Sequence, residues 1–139
     1  MSIKYNPQEI EPKILKFWEK NKTYKFDPKR GKAFSIDTPP PTVSGKMHIG
    51  HAASYTQQDF IARYRRMKEN VFYPFGTDDN GLPTERLIER IKDVKSKDMS
   101  RAEFIKLCLK TLKEITPDFI QDWKNLGVSS DYEIYYSTI

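Results

Sequence analysis

The chain has 139 residues, enough for one domain with a buried core and too few for a second of ordinary size. With 37% hydrophobic and 31% charged residues it reads as soluble and globular rather than disordered, and no apolar run approaches the roughly 20 residues that span a bilayer. The net charge of +5 admits an anionic partner without requiring one; the opening MSIKYNPQEIEPK lacks the apolar stretch of a secretory leader, and the lone Cys108 makes neither an internal disulfide nor a multi-cysteine zinc site, so a cytoplasmic protein is expected.

Residues 1–31 read as an N-terminal helix and a lead-in loop. Asn6 at the cap, Pro7 at the first helical position and Glu9 three residues after the cap mark the helix start. Ile10, Ile14, Phe17 and Trp18 then give one apolar stripe. Asp27 to Gly31 is a turn.

Lys32 to Asp37 (KAFSID) reads as a strand that ends at Thr38-Pro39-Pro40-Pro41, because three prolines cannot continue a ladder. A helix is expected from about His48 to Lys68, with Arg63, Arg65, Arg66 and Lys68 complementing the dipole at its C-terminal end. Asn70 to Phe75 reads as a second strand, Gly76 to Pro83 as a loop and Thr84 to Lys92 as a short helix. Ser100 and Glu103 form a capping-box pattern before a long amphipathic helix, which Pro117 should kink or restart and Gly127 should stop. Asp131 to Ile139 reads as a last strand. Strands alternating with helices predict an α/β fold with a βαβ unit and a parallel sheet.

In such a fold ligands bind at the carboxyl ends of the strands. The first strand-to-helix junction reads PPPTVSGKMHIGHA. His48 and His51, the only histidines, are three apart and so share one side of the first helical turn. The unpaired backbone N–H groups of that turn suit a phosphate, and two imidazoles can donate hydrogen bonds to its oxygens. Gly50 leaves room for a flat ring against the backbone. The alternative is a pair of surface histidines. No third ligand lies nearby for a metal, and Asp59 is on the wrong turn.

A second cluster, Gly76-Thr77-Asp78-Asp79-Asn80-Gly81, follows the next strand. Neighbouring parallel strands place their C-terminal loops side by side, so Asp78 and Asp79 are expected near His48 and His51. A carboxylate there can bind an ammonium group or a metal-bound phosphate. The alternative is a solvated turn.

His48-Ile49-Gly50-His51 matches the HIGH signature, and with the preceding prolines and the following G-x-D the chain resembles the class I aminoacyl-tRNA synthetases. PPPTVSGKMHIGHA is most similar to the valyl-tRNA synthetase branch, and Asp78-Asp79-Asn80-Gly81-Leu82-Pro83-Thr84-Glu85 to its archaeal type. The likeness runs from the Ile10–Trp18 helix through Asp131. It implies that residues 32–139 are the first half of the HIGH-containing catalytic domain, the first half of a doubly wound, Rossmann-like parallel sheet flanked by an N-terminal helix and a long C-terminal helix.

The resemblance also implies roles. His48 and His51 would be catalytic, stabilising the phosphates of ATP while an amino-acid carboxylate attacks the α-phosphate. His48, Gly50 and His51 would bind ATP, with Gly50 under adenine. Asp78 would hold the α-ammonium, and Pro41 and Thr42 would line the side-chain pocket. ATP with Mg2+ is then a substrate, no tightly bound cofactor or structural zinc is implied, and the partners are ATP, valine and tRNA(Val). The second family signature, KMSKS, does not occur in these residues; Lys95 to Ser100 only scrambles it. The expectation is therefore a chain cut off before its second half, with the missing part in the same or a separate chain. Asp131-Tyr132 stands where related enzymes often have Asp-Trp. Isoleucyl and leucyl members, and a non-catalytic nucleotide- or partner-binding half-domain, are the alternatives.

Overall fold

A computed structural model gives the fold and describes residues 4–139; the first three positions of the expected lead-in lie outside it. The elements run α1 (Pro7–Asn21), β1 (Ala33–Ser35), α2 (Ile49–Arg66), β2 (Asn70–Phe72), β3 (Pro74–Thr77), α3 (Leu82–Lys92), α4 (Arg101–Leu126) and β4 (Asp131–Ser137), with a 3-10 turn at Ser96–Asp98.

The pairing is parallel throughout: β1 with β2, and β3 with β4. The carbonyl of Phe72 accepts from Ile36 N–H at 2.9 Å, and the carbonyl of Tyr73 accepts from Asp131 N–H at 2.7 Å. Successive carbonyls of a strand point to opposite edges. So β1 and β4 flank residues 70–77 on either side. The expected strand at Asn70–Phe75 is thus longer than read, reaching Thr77, and it is split at Tyr73. Pro74 has no N–H to donate, and the register shifts between Pro74 and Phe75. On the other edge the proline run leaves the ladder and the chain returns at Thr42, which bridges Asp78 in parallel.

Helix ends follow local chemistry. α3 begins at Leu82 rather than Thr84, because Gly81 caps it at φ +87° and Pro83 falls in the first turn, where no N–H is required. The capping box of Ser100 and Glu103 is formed, and Gly127 ends α4 in the left-handed conformation. Pro117 does not restart α4. It removes one N–H from the helix ladder, while buried Leu112 before it and Phe119 and Trp123 after it hold both halves in one core.

α1 differs from expectation in two respects. Asn6 caps it with its carbonyl, which accepts from Glu9 and Ile10 N–H, and not with its side chain. Its apolar stripe is not buried: Ile14 is 41% and Phe17 57% exposed. Trp18 does pack, tilted against Tyr24 with ring centroids 5.2 Å apart.

The core joins Val43, Ala62, Val71, Tyr73, Phe75, Ile88, Leu112, Phe119, Trp123 and Val128, drawn from α2, the strands, α3, α4 and the segments between them. Behind it lies a charged knot. Buried Asp59 pairs with Arg63 at 2.6 Å and accepts from both the N–H (2.7 Å) and hydroxyl (2.6 Å) of Ser129. Arg63 donates to the Gly127 carbonyl and the Tyr24 hydroxyl, and Arg66 donates to Ser129. Two of the four cations expected to serve the helix dipole are therefore internal cross-links from α2 to the start of β4. Asp59→Ala leaves the Ser129 N–H and Arg63 without their acceptor. It is expected to cost about 3 kcal/mol, read as a lower urea midpoint at unchanged slope. Among the described residues, no helix is long and apolar enough to cross a membrane.

Candidate active site

The site grows from the N-terminus of α2. His48 is the N-cap residue, extended at φ −129°, and its Nδ1 accepts the Gly50 N–H at 3.2 Å. With Nδ1 occupied as an acceptor, a neutral ring carries its proton on Nε2, free to donate. This self-cap takes one of the free amides of the first turn, so the anion-binding row read from the sequence is shorter by that group. His51, one turn on, stacks on His48 with centroids 3.9 Å apart and planes 24° from parallel. Burial, and then the neighbouring His48, hold the His51 pKa below the ordinary histidine value. Both effects favour the neutral ring. Its Nδ1 is buried and has no hydrogen-bond partner.

Gly50 lets the His48 ring lie close against the backbone. A Cβ there would lie 3.0 Å from Cε1 and 3.1 Å from Nδ1 of His48. A methyl group therefore presses directly on the stacked ring.

The acidic loop is joined to the strand end before α2 by main-chain bonds. Val43 N–H donates to the Asp78 carbonyl at 3.0 Å, and Asp78 N–H donates to the Pro41 carbonyl at 2.9 Å. The Asp78 carboxylate accepts from the Thr42 hydroxyl (3.2 Å), the Thr138 hydroxyl (3.0 Å) and Asn80 N–H (3.3 Å). Pro41, Thr42 and Asp78 thus meet in one place.

Asp79 does not join them. Strand alternation sends Gly76 and Asp78 to one face and Thr77 and Asp79 to the other. Asp79, 8% exposed, accepts from the hydroxyls of Thr77 and Ser137, and Thr77 in turn meets the Tyr135 hydroxyl. It ties β3 to β4.

Three contributors escaped the sequence reading. Trp123, with no exposed surface, meets the His51 ring edge-on at 5.8 Å and Tyr55 at 4.6 Å. Its place in a helical apolar stripe signalled core and nothing more. Tyr55 donates to the Pro39 carbonyl at 2.6 Å, pinning the proline run to α2, and burial pushes its pKa up to about 12. Thr138 orients Asp78, and no local motif marks it. Among the described residues no group of three or more His, Cys, Asp or Glu side chains is gathered to hold a metal.

A larger cavity, about 600 Å³, lies between α1, the end of α4 and the start of β4. Among its charged groups Lys22 and Lys25 pair with Glu133 and Lys124 with Glu19, and none of the histidines or the Asp78 cluster lines it.

The chain is 49% identical to the valine–tRNA ligase of Ehrlichia ruminantium (strain Welgevonden) over 139 residues, covering 99% of the chain and 17% of that protein. It is 47% identical to the valine–tRNA ligase of the archaeon Thermoplasma acidophilum over 132 residues, covering 94% of the chain and 17% of that protein. The chain therefore spans about a sixth of the length of these relatives. The fold matches a leucyl enzyme from Agrobacterium radiobacter K84, solved as a ternary complex with tRNA and LeuAMS, with a TM-score of 0.73 at 23% identity, over 97% of this chain and 16% of that one. Residues 13–139 match the model of the class I tRNA synthetases of the I, L, M and V group, and the chain belongs to that family.

Proposed function

We propose that this chain supplies the HIGH-bearing half of the catalytic site of a valine–tRNA ligase. The ligase joins valine to ATP as valyl-adenylate, releases pyrophosphate and passes the valyl group to tRNA(Val). The observation that supports this most is the main-chain pairing of Pro41–Val43 with Asp78, which brings the strand end before the HIGH turn and the acidic loop together.

In this reading the valine ammonium rests on Asp78, already oriented by Thr42 and Thr138. The valine side chain lies toward Pro41 and Thr42. Adenine lies over Gly50. The valine carboxylate attacks the α-phosphate while His48 and His51 hydrogen-bond the charge that builds on the phosphate oxygens. Preorganised donors suit this role, because they need no reorganisation as charge develops. Magnesium enters with ATP as part of the substrate. The KMSKS signature comes from a further segment, in this chain or another, and the reaction is cytoplasmic.

The test is amino-acid-dependent ATP–pyrophosphate exchange by the catalytically complete protein, residues 1–139 joined to or mixed with the segment bearing KMSKS. Valine is expected to drive exchange best. A preference for isoleucine or leucine reassigns the substrate within the family, and no exchange with any amino acid leaves a half-domain that binds without catalysis.

Gly50→Ala separates fold from function at this site. Alanine favours the helix by about 0.5–1 kcal/mol, yet its methyl displaces the His48 ring. Thermal stability is expected to hold or rise while exchange falls about tenfold or more.

A further inference from the structure

Gly76 sits opposite Tyr136 in the β3–β4 ladder, and the Tyr136 ring fills the space left by the missing side chain. A Cβ on Gly76 would stand 2.2 Å from Tyr136 Cζ and 2.5 Å from both Cε atoms. No larger residue fits at position 76 with the ring in place. Yet Tyr136 is 40% exposed, so the ring does not serve to close the core.

Its surroundings point elsewhere. Alternation along β3 and β4 puts Gly76, Asp78, Tyr136 and Thr138 on one face, and the Thr138–Asp78 hydrogen bond confirms that register. Together with Pro40, Pro41, Tyr55 and Gly76, the ring lines a slot of about 10 Å³, the room needed by about one water. One lining residue, Pro41, accepts the Asp78 N–H with its carbonyl, so the slot lies one residue removed from Asp78.

We infer that Tyr136 is a specificity-determining residue, the wall that sets how large a side chain is accepted beside Asp78. This rests on the reading of Asp78 as the ammonium site. An amino acid held by its ammonium has its Cβ two bonds from that nitrogen, so the branches on Cβ are the atoms that meet the slot. As the slot stands, a branched side chain enters only by turning the ring aside. The ring volume that remains limits anything longer. Gly76 is glycine because it is the seat on which that wall rests.

The test compares Tyr136→Ala and Tyr136→Leu with the parent in the catalytically complete protein, by pyrophosphate exchange with valine and with isoleucine. Removing the ring is expected to lower the ratio of kcat/KM for valine over isoleucine by about tenfold or more, since one methylene is worth about 10–200-fold in such a pocket. The KM for ATP should change little. If Tyr136→Ala does not fold, Tyr136→Leu, which keeps apolar bulk on Gly76, gives the same reading with a smaller shift. An unchanged ratio in the folded variants of an active parent overturns the role of Tyr136 and leaves the Asp78 reading intact. A parent inactive with every amino acid overturns the Asp78 reading, and this inference with it.

Discussion

Trp123→Ala is expected to cost about 3–5 kcal/mol of folding stability, the range for emptying a buried aromatic site. The indole has no exposed surface and meets Tyr55, Phe75, Phe119 and His51 with ring centroids 4.6–6.0 Å away. Those rings come from α2, β3 and α4, so no single element can shift to refill the space. The loss is measured as a drop in urea midpoint. A second effect distinguishes this tryptophan from an ordinary core residue. His51 loses the edge-on contact that fixes its ring, so exchange by the catalytically complete protein falls even where the variant is folded. A drop below about 1 kcal/mol shows that the site collapses around the gap and that Trp123 is not the centre of the core.

His51→Ala is expected to lower kcat for exchange by about 10²–10³-fold, as for loss of one preorganised donor to a developing anion. The KM for ATP should move much less, because ground-state phosphates carry less charge at the atoms involved. His51 stacks on His48 and touches Trp123, and burial favours its neutral form. A fall in ATP affinity as large as the fall in rate places His51 in ground-state binding and removes the transition-state role.

Much of the fold was readable because the deciding signals are local. Pro39–Pro41 stops a strand, Ser100 with Glu103 starts a helix, and Gly127 ends one, each through backbone chemistry within a few residues. The parallel sheet followed from the alternation of elements. The misses came where long-range packing outweighs local preference. Pro117 sits within a helix because the core grips both sides of it. The stripe on α1 looked like a buried face and remains largely exposed. Arg63 and Arg66 looked like solvated cations at a helix end, and they bind Gly127 and Ser129 more than 60 residues away.

The site divides the same way. His48, Gly50 and His51 lie within one helical turn, so their mutual placement was fixed by spacing. Asp78 meets Pro41–Val43 because adjacent parallel strands share a rim, and Asp79 turns to the opposite face because alternate residues do so. Thr138 reaches Asp78, and Tyr136 lies opposite Gly76, only through the β3–β4 register. No pattern within Asp131–Ile139 states that register.

The most direct measurement is a crystal structure of the catalytically complete protein with a non-hydrolysable valyl-adenylate mimic. The expected result has the ammonium within about 2.7–3.2 Å of an Asp78 carboxylate oxygen, with the phosphate-equivalent group donated to by His48 and His51. A mimic whose ammonium sits elsewhere, or whose phosphate-equivalent group lies beyond the reach of both rings, contradicts the assignment of this rim as the site of valine activation.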